Sequence, residues 1–253
     1  MTTNVRLVAF DLDDTLAPSK APLDPKMAAI LVRLLDEVPV CVISGGQIAQ
    51  FRSQLIANLP DSPEQLERLH LMPTCGTQYY RYESGAWQQV YAENLSDDEK
   101  TRAQDAVTAK AKELGFWETD TWGPVLEDRG SQITFSALGQ DAPISAKSVW
   151  DPTGEKKEAL RAAVAPLVPD LEVRSGGSTS VDITRLGIDK AYGMKRLAEL
   201  TGIPLDAMLF VGDRLDEGGN DYPVKALGVP TRAVEGWHDT AAVVEEFLAA
   251  RQG

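Results

Sequence analysis

The chain has 253 residues, 43% of them hydrophobic and 25% charged, so it has the composition of a globular protein and the length for one large domain or two modest ones. Lys and Arg number 25 against 38 Asp and Glu, and a net charge of −13 at pH 7 argues against a nucleic-acid or anionic-membrane partner. The longest apolar run, residues 27–32, falls far short of the ~20 residues that cross a bilayer, and no basic leader precedes an apolar stretch at the N-terminus. With only Cys41 and Cys75, no disulfide framework is expected, and the expected setting is cytoplasmic.

Residues 5–10 form a short apolar run that ends in an acidic loop, the pattern of a buried parallel strand opening into a site. Asp24 and Pro25 then supply an N-cap and a first-turn proline, and Met27, Ile30, Leu31, Leu34 and Leu35 make one apolar helical stripe. Residues 38–44 read as a second buried strand, and Ile48, Phe51 and Leu55 stripe a second helix. This βαβα opening predicts a doubly wound α/β fold.

Residues 79–82 and 87–91 flank Ser84-Gly85 and predict a hairpin, and Ser96 with Glu99 predicts a capping box for a helix closing near Gly115. Strands are expected at 133–137 and 181–184 with a helix around 155–164 between them. The βα rhythm returns at Asp189, which caps a helix ending before Gly202, followed by strands at 208–211 and 229–233 and a last helix capped by Asp239. The expected organisation is a parallel-sheet core of residues 1–90 and 188–253 interrupted by an α+β cap of residues 91–187. Trp117 and Trp122 are expected to pack in or near the cap core, and His70 and His238 are too isolated for a zinc or catalytic cluster.

Four segments carry chemistry. Phe10-Asp11-Leu12-Asp13-Asp14-Thr15 places two carboxylates two residues apart, Asp11 and Asp13, directly after a buried strand, where ligands bind in open parallel sheets. Ser44-Gly45-Gly46 puts a hydroxyl and two glycines between a strand end and a helix start, a place to hold a phosphate or simply an N-cap with a tight turn. Lys190 stands in the first turn of a helix, the wrong end for a cation, which points to a nearby anion unless the side chain is merely solvated. Asp213, Asp216, Asn220 and Asp221 crowd one strand-end loop, where the carboxylates repel one another unless a divalent cation compensates.

These segments, in this order, resemble the four motifs of the haloacid dehalogenase (HAD) phosphotransferase superfamily, and the cap position is similar to its type IIB branch. GGSTSVDITRLGIDKAYG and GDRLDEGGND look like the corresponding segments of the phosphomannomutase family. The resemblance implies a Rossmann-like HAD core with Asp11 as nucleophile and Asp13 as general acid/base. It implies Mg²⁺ held by the Asp11 carboxylate, the Asp13 backbone carbonyl and Asp213, with Asp221 preferred over Asp216 as the further metal-site carboxylate. Ser44, Gly45, Lys190 and Asn220 are implied to hold phosphoryl oxygens, Ser180 and Asp182 to touch sugar hydroxyls, and Thr15 to fix the loop. Arg129 is implied to meet a substrate phosphate, although a solvated arginine before the turn at Gly130 fits the sequence equally.

The chain departs from the phosphomannomutase pattern where arginines are expected. Gln140 and Trp122 stand at two such positions in the cap, and Ser19 and Lys20 follow the nucleophile loop at a third; only Arg129 is kept. Arginine forks grip phosphate bidentately, and each lost charge-assisted contact costs ~1.5–3 kcal/mol, so a bisphosphate intermediate would be held weakly. The leading expectation is therefore a Mg²⁺-dependent phosphatase acting on a small phosphorylated metabolite, most of all a sugar phosphate. The alternatives are a phosphomannomutase-like phosphotransferase and a non-catalytic binding protein on the same fold.

Overall fold

The structure, a computed structural model, describes residues 4–252. The chain forms two compact units, Met1–Ala92 with Asp189–Gly253, and Glu93–Ile188. The first unit begins with β1 (Leu7–Phe10), α1 (Pro25–Glu37), β2 (Val40–Ile43), α2 (Ile48–Gln54), α3 (Pro63–Leu66), β3 (Leu69–Met72) and the hairpin of β4 (Gln78–Glu83) and β5 (Ala86–Ala92). The start of α1 follows its sequence: Asp24 accepts a hydrogen bond from the Lys26 N–H, Pro25 occupies the first turn, and Met27, Leu31, Leu34 and Leu35 are buried.

The second unit comprises α4 (Asp97–Glu113), β6 (Leu126–Asp128), β7 (Gln132–Ser136), α5 (Ile144–Trp150), α6 (Glu155–Val164), β8 (Leu171–Ser175) and β9 (Ser180–Arg185). Its antiparallel sheet has the order β6-β7-β9-β8. One sheet face, with Ile133, Phe135, Val173, Val181 and Ile183, packs with Ala103 and Val107 of α4 and Leu160 and Val164 of α6. The other carries Thr134 and Ser136 paired with Asp182 and Ser180, an alternation that follows from the two-residue period of a strand. Trp117 lies against Phe135, with ring centroids 5.9 Å apart, but Trp122 is 48% exposed and outside the core, contrary to the sequence expectation. It sits in a loop paired with residues 138–141 through backbone bonds from its own N–H to the Leu138 carbonyl and from the Asp141 N–H to its carbonyl, which orients the backbone and leaves the ring outside.

The capping box of α4 is present in full. The Ser96 N–H donates to Glu99 Oε2 at 2.6 Å, the Glu99 N–H donates to Ser96 Oγ, and Arg185 of β9 pairs with the same carboxylate at 3.0 Å. The Arg185 hydrogen bond, then the Ser96 backbone, hold the Glu99 carboxyl down at about 2, below its ordinary 4.5. A depressed carboxyl stabilises the fold fully above its ordinary value, and that share is lost as the pH falls from 4.5 toward 2. We expect Ser96→Ala to cost about 1 kcal/mol. Glu99→Gln should flatten the acid limb of the stability profile measured by urea unfolding, and an unchanged acid limb would refute this role for the box.

After β9 the chain returns to the first unit with α7 (Lys190–Thr201), β10 (Met208–Gly212), α8 (Tyr222–Ala226), β11 (Thr231–Ala233) and α9 (Trp237–Gln252). The seven-stranded sheet has the order β11-β10-β1-β2-β3-β4-β5, parallel from β11 through β3 and antiparallel at the hairpin. Alternate strand residues feed two apolar layers. Phe10, Val42 and Val211 pack with α1 and with Phe247 and Leu248 of α9, while Leu7, Ile43 and Phe210 pack with Met194 and Leu197 of α7 and Val224 of α8.

One sequence expectation in this unit is corrected, and one strand is additional. α9 begins at Trp237, so Asp239 lies inside its first turn and accepts the Glu235 N–H instead of capping the helix. β3 has no counterpart in the sequence reading; its His70 is buried, hydrogen-bonded to Tyr79 Oη at 2.7 Å, and held down to about 3 by burial and then by Arg81. Among the described residues no helix is long and apolar enough to cross a membrane.

Candidate active site

Phe10 pairs in register with Val211 on one side and Val42 on the other, so β1, β10 and β2 end level and release Asp11, Asp213 and Ser44 at one edge of the sheet. This is the carboxyl-end crevice of a parallel sheet. Asp11 and Asp221 are 3% and 0% exposed, and Lys190, at 1%, lies between them. Its ammonium is 2.7 Å from Asp11 Oδ1 and 2.5 Å from Asp221 Oδ1. Asp11 Oδ1 also accepts the Leu12 N–H, and Asp221 Oδ2 accepts the Arg214 N–H. Asp213 completes the cluster, with carboxylate oxygens of Asp11, Asp213 and Asp221 all within 4.8 Å of one another. Thr15 Oγ1 donates to Asp213 Oδ1 at 3.4 Å, and its carbonyl accepts the Thr240 hydroxyl, which ties the loop after β1 to α9.

The charges of this cluster do not balance. Three carboxylates against one ammonium leave two negative charges, which suits one divalent cation, and the donors are hard oxygens of the kind Mg²⁺ selects. The titration shifts agree. Burial pushes Asp11 up to about 7 against the pull of Lys190, and burial followed by Asp221 raises Asp213. Burial opposes the charge on Lys190, yet Asp11 and Asp221 together outweigh it and raise this group as well. All three shifts favour added positive charge at the cluster, the two carboxyls chiefly because they are buried.

Ser44 is buried, its Oγ accepts the Gly46 N–H at 3.1 Å, and its carbonyl accepts the Cys75 N–H. The segment that clamps this loop, a 3₁₀ turn at Thr74–Gly76, was missed in the sequence; the Thr74 N–H donates to the Gly46 carbonyl. Gly76 and Gly193 let α7 dock on that turn, because a Cβ on Gly193 would stand 2.7 Å from the Cys75 carbonyl oxygen and one on Gly76 2.5 Å from the Gly193 Cα. This close approach positions the first turn of α7, and with it Lys190.

Asp13 lies outside the carboxylate triad, its side chain held by Lys20 N, Gln50 and Gln54. Asp221 lies in the triad, while Asp216 is exposed and pairs with Arg214. Asn220 is exposed on the same loop. In the second unit Arg129 is no solvated turn residue. Its side chain is 12% exposed, its Nε is 2.6 Å from Glu127 Oε2, and its Nη2 donates to Gln140 Oε1. Asp182 accepts the Thr134 hydroxyl at 2.7 Å and is raised by burial, with Arg129 opposing.

A parallel sheet wound on both faces, with strand-end aspartates, a buried lysine and a second α+β unit, defines the HAD superfamily of phosphotransferases and phosphatases. Solved structures share the fold. An IMP-nucleotidase from Plasmodium falciparum matches 97% of this chain and 68% of its own with a TM-score of 0.73 at 14% identity. A haloacid dehalogenase-like hydrolase from Bacteroides thetaiotaomicron matches 96% of this chain and 99% of its own with a TM-score of 0.61 at 15% identity. Residues 27–250 match the eukaryotic phosphomannomutase family, and the chain belongs to that family. Its relatives include phosphomannomutase 1 of Homo sapiens, 24% identical over 227 residues covering 87% of this chain and 83% of the relative. The phosphomannomutase of Saccharomyces cerevisiae is 24% identical over 252 residues covering 96% and 94%.

Proposed function

We propose that the chain is a Mg²⁺-dependent phosphatase of a small phosphorylated metabolite, a sugar phosphate in particular, working through an aspartyl phosphate. The observation that carries the choice of hydrolysis is the engagement of Arg129 by Glu127. Gln140 and Trp122 stand where family arginines are expected, and the one arginine kept from that set, Arg129, is already paired with Glu127. A second bound phosphate would have to compete with Glu127 for that guanidinium.

Asp11 attacks phosphorus in line as the ester P–O bond breaks, and the leaving oxygen takes its proton from Asp13. A water then attacks the aspartyl phosphate after giving a proton to Asp13, which restores Asp11 and releases inorganic phosphate. Ser44, Gly45, Lys190 and Asn220 hold the phosphoryl oxygens that do not react, and Ser180 and Asp182 are assigned to sugar hydroxyls. Asp11, Asp213 and Asp221, with the Asp13 carbonyl, are the groups to hold Mg²⁺, which when bound supplies neutralisation of phosphoryl charge.

Membership of the phosphomannomutase family favours a second reading, interconversion of hexose 1- and 6-phosphates. One assay separates them: mannose 1-phosphate with Mg²⁺ and a hexose 1,6-bisphosphate, following mannose 6-phosphate and free phosphate together. We expect free phosphate to dominate, with little stimulation by the bisphosphate, and Gln140→Arg to tighten bisphosphate binding. Formation of the 6-phosphate much faster than phosphate release would establish the mutase instead.

A further inference from the structure

Asp13 stands in a closed ring of hydrogen bonds with two glutamines one turn apart on α2. Gln50 Nε2 donates to Asp13 Oδ2 at 2.7 Å and to Gln54 Oε1 at 3.0 Å, and Gln54 Nε2 donates to Asp13 Oδ1 at 3.1 Å. The Lys20 N–H donates to the same Oδ1 at 2.8 Å. Both carboxylate oxygens are thus gripped, one from α2 alone and one from α2 and the loop after β1, which fixes the plane of the carboxylate as well as its position.

The remaining polar atoms of Gln54 are also used. Its Nε2 reaches the Pro18 carbonyl and its Oε1 is the acceptor for Gln50, so the amide has one favourable orientation. Gln54 is 2% exposed in a seven-residue helix whose other buried side chain is Phe51. Burying an amide is unfavourable unless it is hydrogen-bonded, and an apolar residue of similar volume would pack there without that requirement. Gly46 makes room for the arrangement, since a Cβ there would stand 2.2 Å from Gln50 Oε1.

We propose that Gln50 and Gln54 are positioning residues for the Asp13 carboxylate, holding it in the orientation from which it passes a proton to the leaving oxygen. The inference rests on the reading of Asp13 as general acid. Gln50 orients Gln54, and the two amides together orient Asp13, so losing either donor lets the carboxylate rotate. Misplacing Asp13 slows two steps: protonation of the leaving oxygen, which depends on the ester, and activation of the water, which is the same for every ester.

The test compares two esters that differ in their need for that proton. p-Nitrophenyl phosphate releases a stable anion, whereas phenyl phosphate departs well only when its oxygen is protonated. Gln50→Met and Gln54→Met should lower kcat/KM, which reports the first phosphoryl transfer, by ~10–10²-fold more for phenyl phosphate than for p-nitrophenyl phosphate, with the Mg²⁺ half-saturation concentration nearly unchanged. Gln50, less buried than Gln54, keeps the test available if the Gln54 variant does not fold. Equal losses of kcat/KM for both esters in the glutamine variants overturn the positioning role. Asp13→Asn, run beside them, should show the same split, and its failure to do so overturns the reading of Asp13 instead.

Discussion

Asp11→Asn should abolish phosphoester turnover, by roughly 10⁴-fold or more on the scale of nucleophile removal in other enzymes, while the protein remains folded. The amide keeps the shape of the carboxylate and retains an oxygen to accept the Leu12 N–H and the Lys190 ammonium. It removes one negative charge from a cluster whose burial already pushes Asp11 up to about 7. A carboxyl raised by burial makes the ionised native state less stable above its ordinary value of 3.8, so that loss grows as the pH rises toward 7. In EDTA the variant should therefore melt at or above the wild-type temperature near neutral pH, and it should bind Mg²⁺ more weakly. Residual turnover within tenfold of wild type, in protein free of wild-type contamination, would remove Asp11 as nucleophile.

Lys190→Met should have the opposite signature, losing both activity and stability. The ammonium is buried and faces Asp11 and Asp221, so its removal leaves two carboxylates adjacent with no counter-charge. Breaking a buried ion pair from one side typically costs about 3–5 kcal/mol. Mg²⁺ should restore part of this loss and raise the melting temperature of the variant more than that of wild type, because the metal supplies charge where the lysine did. The double variant Lys190→Met/Asp221→Asn should recover stability relative to Lys190→Met alone, which a double-mutant cycle reads as coupling. A stable Lys190→Met protein with no added response to Mg²⁺ would show that the lysine does not organise the cluster.

Much of the chemistry was legible because it is local. Asp24-Pro25 starts α1, Ser96 and Glu99 form the box that starts α4, and Asp189 with Gly202 brackets α7, since caps depend on residues within a few positions of one another. The apolar stripe of α1 was readable for the same reason, its period being set by helix geometry. β3, β6 and β8 were not readable. β3 is four residues long with a histidine in it, and His70 is at home there only because Tyr79, from β4, meets its ring nitrogen. The first turn of α7 illustrates the limit most clearly: a lysine there is compatible with solvent, and only strands from both ends of the chain make it a buried counter-ion.

By itself the sequence determined an α/β chain with aspartates at strand ends, a hydroxyl and glycines after β2, and a lysine at a helix start, because each of these is written in neighbouring residues. The tertiary structure alone decided which carboxylates meet. The loop after β10 folds back, with the Asp221 N–H on the Arg214 carbonyl, so Asp221 turns inward to Lys190 while Asp216 stays at the surface. It alone showed that Gln50 and Gln54, an ordinary polar face of a short helix in sequence, close on Asp13, and that Arg129 is already matched by Glu127. The reason is physical: charge and hydrogen-bond partners are chosen by proximity in space, and burial, which gives those choices their energetic weight, is a property of the packed chain.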